Sequence, residues 1–138
     1  MLDANVFVSV FLSSSARSTV VKVLTYVLDE ADLLYDERLV DEVIKTFQKD
    51  KLVRYGLPER VDEVIWLITS SSASQYVPTS SAIIDSRDPD DNYILALAFD
   101  GGADCVVTGD KDLLVLHPWR GIPIVRPAEF LQLVGEGA

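Results

Sequence analysis

The chain of 138 residues has one cysteine, Cys105, and one histidine, His117. A lone cysteine excludes an internal disulfide, a zinc site built on thiolates needs several more, and the simplest role for Cys105 is a small buried hydrophobe. With no second histidine and no Ser or Cys motif beside His117, a nucleophilic triad has little support, and the histidine reads as a loop residue. No run approaches the roughly 20 apolar residues of a membrane span. The start, Met1-Leu2-Asp3, carries an acid where a secretory signal carries Lys or Arg, so a cytoplasmic address is expected. Pro-rich or Gly-rich linkers and internal repeats are also missing, and residues 1–138 read as a single domain with a genuine core.

Positive charge is scarce too. Twelve basic residues against 22 acidic ones leave a net charge of −10, a field that repels nucleic acids and anionic membranes when taken as a whole. Solubility alone also favours an acidic balance, so what matters is whether the carboxylates are scattered or aimed at one place.

Apolar runs alternate with stretches of helical period. Phe7 to Leu12 is apolar and Ser13-Ser14-Ser15 punctuates it. Val20, Val21, Leu24, Val27 and Leu28 then fall at helical spacing. Leu33-Leu34-Tyr35 reads as a short strand, with Asp36 capping a helix that carries Leu39, Val40, Val43, Ile44 and Phe47. Past Gly56 and Pro58 a further helix carries Val61, Val64, Ile65 and Ile68. Thr69 to Ser74 reads as a solvated helix end and turn, and Gln75 to Val77 as a strand. Asp88-Pro89-Asp90-Asp91 reads as a cap, a proline at the first helical position and acids in the first turn, opening a helix that ends at Gly101-Gly102. Cys105 to Thr108 and Ile122 to Val125 read as buried parallel strands, and Pro127 to Val134 as the last helix. Strands separated by helices predict an α/β fold, a three-layer α/β/α domain with a central parallel sheet and helices on both faces.

This order gives the acids a direction. Asp3 follows the first short strand, and Asp110 and Asp112 follow Cys105 to Thr108. Ligands of open parallel sheets bind beyond the carboxyl ends of the strands, so both positions map to one rim, although an Asp in such a turn is also a common helix cap. On the Leu39–Phe47 helix the apolar positions fill an arc of about 140° and Glu42 lies about 60° outside it, at the margin of the buried face. Asp91 shares a face with Ile94, Leu95 and Ala98 and points inward; Asp88 or Asp90 can serve as the cap instead. Carboxylates gathered in one cleft need cations, and all-oxygen ligands suit Mg²⁺ or Mn²⁺.

The segments Leu2-Asp3-Ala4-Asn5-Val6, Leu39-Val40-Asp41-Glu42-Val43, Arg87-Asp88-Pro89-Asp90-Asp91-Asn92 and Gly102 to Leu114, in that order and spacing, resemble the PIN-domain nucleases, in particular the branch of toxin components of toxin–antitoxin systems. The resemblance covers nearly the whole chain. It implies that Asp3, Glu42, Asp91 and Asp110 form a catalytic, metal-binding quartet with Asp112 beside it, that Asn5 and Thr108 are supporting polar groups, and that the reaction is metal-dependent hydrolysis of single-stranded RNA without a covalent intermediate. Two features depart from the family pattern: Ala4 stands where Thr is usual, and only two residues precede Asp3 where a longer first strand is usual. A small antitoxin protein with a basic segment and a homodimer are further implied partners, with no membrane involved. Five of the twelve basic residues, Lys45, Lys49, Lys51, Arg54 and Arg60, fall in one stretch. Lys45 and Lys49, together with Lys111, are the candidate substrate contacts, although cations near a helix C-terminus also complement its dipole. Two other classes compete: a non-catalytic module of the same fold that binds RNA or protein, and a phospho-acceptor receiver or aspartyl phosphatase. The second lacks support in Asp3-Ala4-Asn5, where a second acid is needed.

Overall fold

A computed structural model of the chain describes residues 1–135. Among them lie the helices α1 (Ala4–Leu12), α2 (Thr19–Glu30), α3 (Glu37–Phe47), α4 (Asp50–Val53), α5 (Val61–Ser70), α6 (Asn92–Asp100), α7 (Lys111–Leu114) and α8 (Pro127–Leu133). The strands are β1 (Leu33–Tyr35), β2 (Ser74–Tyr76), β3 (Val106–Val107) and β4 (Ile124–Val125). Helix and strand alternate, every strand pair is parallel, and the domain is a three-layer α/β/α fold. No helix among the described residues is long and apolar enough to cross a membrane.

The hydrogen-bonded strands form two parallel pairs. Leu33 is opposite Ser74 in one, and Val106 is opposite Ile124 in the other. The expected first strand is reduced to a single parallel bridge between Leu2 and Val107. The Val107 N–H donates to the Met1 carbonyl at 2.9 Å and the Asp3 N–H donates to the Val107 carbonyl at 3.0 Å. Asp3 then leaves the strand in extended geometry and the chain enters α1 at once, so the apolar run Phe7–Leu12 is helical.

Local chemistry sets most of the remaining boundaries. The Asp36 carboxylate accepts from the Leu39 N–H at 2.9 Å and starts α3, whose Leu39, Val43 and Phe47 are fully buried at i, i+4 and i+8. Helix α3 packs between α1 and α5, while α2 packs on α8. Helix α6 is buried almost all round, from Ile94 through Ala98, and crosses β1. Its first turn, Pro89–Asp91, is a 3₁₀ helix, with Asp88 capping it by accepting from the Asp90 N–H at 3.0 Å. At its other end Gly101 is required by space, since a Cβ there would lie 2.9 Å from Leu34 Cδ1 and 3.0 Å from the Leu97 carbonyl. Gly102 is required by conformation, with φ of +60°. The outcome is a helix whose N-terminus is fixed at the same rim as the ends of the Leu2 segment and β3.

Candidate active site

The rim is built from the carboxyl end of β3 outward. Thr108 follows Val107 and is fully buried, and its hydroxyl donates to Asp3 Oδ2 at 2.7 Å. The Thr108 hydroxyl oxygen in turn accepts from the Asp110 N–H at 3.0 Å. One threonine therefore ties the turn after β3 to the turn after Leu2, and its hydroxyl is used on both sides. Asp110 caps α7 by accepting from the Asp112 N–H at 2.9 Å, which fixes the direction of the Asp110 carboxylate. Burial pushes the Asp3 carboxyl above the usual carboxylate range; the Thr108 hydrogen bond pulls it down, and the charges of Asp110 and Glu42 push it up again.

Asp91 faces this pair from the start of α6. Its carboxyl is pushed up to about 8, first by desolvation and then by the neighbouring Asp110 carboxyl. The charges of Asp88 and Asp3 act in the same direction. Asp91 Oδ2 is buried and has no hydrogen-bond partner. Asp88, Asp91 and Asp112 each offer an oxygen within 4.8 Å of the other two. Asp88 thus has a second position beside its cap, and its i, i+3 spacing from Asp91 was the signal in the sequence for that shared face.

Glu42 stands half-buried on α3, and its charge reaches both Asp3 and Tyr93. Tyr93, the second residue of α6, faces the charges of Asp3, Glu42, Asp91 and Asp36, and burial first and these acids second raise its hydroxyl pKa. In the sequence an aromatic residue on an apolar helix reads as core, which is why Tyr93 was not among the expected site residues. The rim therefore brings Asp3, Glu42, Asp91, Asp110 and Asp112 into one neighbourhood and adds Asp88 and Tyr93. Within it Asp88, Asp91 and Asp112 are the acids that each offer an oxygen within 4.8 Å of the others.

A hard divalent cation fits this set. All the donors are carboxylate oxygens, one of them is a buried oxygen with nothing bonded to it, and desolvation first and neighbouring acids second raise the carboxyl of Asp91 where a cation would lower it. Asp88, Asp91 and Asp112 are placed to hold such an ion, with Asp3, Glu42 and Asp110 forming the rest of the acidic wall.

The other residues singled out in the sequence are exposed or engaged elsewhere. Asn5 is exposed on the first turn of α1, and Lys45, Lys49 and Lys111 are all exposed. Arg60, part of the basic stretch, is already committed: Nε and Nη2 hold the two oxygens of Glu63 at 2.9 and 3.0 Å, and the guanidinium lies over the Phe11 ring. His117 accepts the Ile124 N–H on Nδ1 at 2.9 Å, and Cys105 is half-buried, its thiol pushed up by burial.

A family model described as "PIN domain" matches residues 1–112. No curated protein and no solved structure matches the chain.

Proposed function

The chain belongs to the PIN-domain family, a nuclease-type fold, and from that premise we propose that it is an endoribonuclease that uses Mg²⁺ or Mn²⁺ to hydrolyse phosphodiester bonds of single-stranded RNA. The observation that carries the proposal is Asp91. Its buried, unbonded oxygen and raised pKa, at the meeting point of acids from two strand ends and two helices, are what an unneutralised cation site shows.

The division of labour follows from the contacts. Asp88, Asp91 and Asp112 would hold the ion, which when bound supplies neutralising charge and Lewis acidity at the phosphoryl oxygens. Thr108 holds Asp3 in a single orientation and is itself no nucleophile, because its hydroxyl donates to Asp3 and accepts from Asp110. Direct attack of water at phosphorus, with no covalent adduct, is the chemistry such an ion would support. Asp3, Glu42 and Asp110 orient that water through their carboxylates. Lys45 and Lys49, which follow Glu42, and Lys111, between Asp110 and Asp112, would contact the RNA backbone.

The role of toxin component fits the same features. A net charge of −10 favours a small antitoxin whose basic segment lies across the acidic wall, and a homodimer in the cytoplasm is the expected assembly. Co-expression with a neighbouring small basic protein should rescue growth and give a co-purifying complex; unimpaired growth on expression of the chain alone would remove this role. For the activity itself, purified protein should cut single-stranded RNA in Mn²⁺ and stop in EDTA. Equal cleavage in EDTA would overturn the metal-dependent reading.

A further inference from the structure

One cation touches the acidic wall directly. Arg87 Nη2 lies 2.7 Å and Nε 3.0 Å from the same oxygen, Asp112 Oδ1. Asp112 is one of the three acids within 4.8 Å of one another, and Arg87 is the chain neighbour of a second, Asp88. The guanidinium therefore sits on the lip of the candidate cation site.

The four ion pairs among the described residues differ in what they leave free. Arg60 uses one edge on both oxygens of Glu63 and its remaining nitrogen on the Phe11 carbonyl at 3.4 Å. Arg120 is stacked over Phe99 and Trp119 while it holds Asp85. Arg38 stands 3.7 Å from Asp36 Oδ2, on the cap of α3. Arg87 alone presses two N–H groups onto a single oxygen at the wall, and its side chain remains 59% exposed. A guanidinium has five N–H donors in a planar fork, so three donors of Arg87 have no partner among the described residues, on a side chain that is mostly exposed. A phosphate matches that edge.

Resting on the nuclease reading above, we propose that Arg87 is a substrate-contact residue: one edge of its guanidinium is held by Asp112, and the free edge binds a backbone phosphate of the RNA beside the acidic wall. The Asp112 tether fixes the fork in place before substrate arrives, which reduces the ordering cost of the contact. It also gives a chain of −10 an anion-binding group at the place where its acids are densest.

The test measures binding rather than turnover. Full-length protein is titrated with a short fluorescent single-stranded RNA in Ca²⁺ at several salt concentrations, the RNA being checked for integrity on a denaturing gel, and with Mn²⁺ alone by calorimetry. Arg87→Gln should weaken RNA binding about tenfold. It should also lower the slope of log affinity against log salt by about 0.7. Its Mn²⁺ affinity should equal or exceed that of the wild type, because a competing cation has been removed. Arg87→Lys, which keeps the charge, should keep the salt slope. Wild-type protein that binds both probes, with Arg87→Gln matching it in RNA affinity and slope, overturns the Arg87 assignment and leaves the nuclease reading standing. Lys behaving as Gln, or a loss of Mn²⁺ affinity in Arg87→Gln, also overturns it, since Arg87 would then act by shaping the acids. Wild-type protein that binds neither probe overturns the nuclease reading and this inference with it.

Discussion

The two ends of α6 carry an acid each, and the two acids are treated oppositely. Asp100, at the C-terminal end, accepts the N–H groups of Ser80 and Ser81 at 2.7 and 2.9 Å and the Ser81 hydroxyl, and these bonds hold its carboxyl below the usual range. Asp91, at the N-terminal end, has a buried oxygen without a partner and a carboxyl pushed up to about 8. The helix dipole alone predicts the reverse, since it favours a negative charge at the N-terminus by about 0.3–1 kcal/mol. Three hydrogen bonds to one carboxylate outweigh the dipole at Asp100, and at Asp91 desolvation and like charges do so. An acid whose oxygens are all engaged is part of the architecture. One left buried and unbonded among other acids is a place for a cation.

The largest effect that would break this contrast is expected at Asp91. Asp91→Asn should cut RNA cleavage and Mn²⁺ affinity by at least about a hundredfold, while metal-free protein melts no lower than the wild type, because a strained carboxylate has been removed. A metal-free melting temperature that falls sharply would make Asp91 a structural acid like Asp100.

Thr108→Val comes next. It leaves the buried Asp3 oxygen and the Asp110 N–H without their partner and should destabilise the chain by about 1–3 kcal/mol in urea unfolding, with Thr108→Ser, which keeps the hydroxyl, recovering most of that loss. A neutral Thr108→Val would show that the Thr108 tie does not hold the two turns together.

The pH dependence sharpens the contrast further. Asp3 and Asp91 have raised pKa values in the folded state, so the folded chain binds protons more tightly than the unfolded one. The stability of metal-free protein should therefore fall as pH rises from the ordinary value of 3.8 toward about 8, and Mn²⁺ should flatten that slope. Urea midpoints across this range, with and without Mn²⁺, check it; a slope that Mn²⁺ leaves unchanged would locate the ionisation elsewhere. The smallest effect is expected at Asp100, where Asp100→Asn should lower the melting temperature modestly and leave Mn²⁺ affinity at the wild-type value.

Much of this arrangement was legible in the residues wherever the cause is local. Asp36 and Asp88 declare themselves as caps, the period of Leu39, Val43 and Phe47 declares α3, and Gly101-Gly102 ends α6 for two separate reasons, a close approach and a positive φ. What depends on distant partners was not legible. The run Phe7–Leu12 has no helical contrast between faces, and only the exit of the chain at Asp3 makes it part of α1. Helices α4 and α7 are single turns, too short to show a period. The second position of Asp88 was hidden behind its cap, and the pairing of Arg87 with Asp112 spans 25 residues that no spacing rule connects. The six acids of the rim were visible one at a time; their different degrees of satisfaction come only from the contacts.

The most direct test is a crystal structure of the chain with Mn²⁺, located by anomalous scattering. The account predicts an ion bonded to Asp91, with Asp88 or Asp112 among its other ligands and Asp100 still bound to Ser80 and Ser81. An ion elsewhere, or none at saturating Mn²⁺ with Asp91 Oδ2 still unbonded, would contradict it.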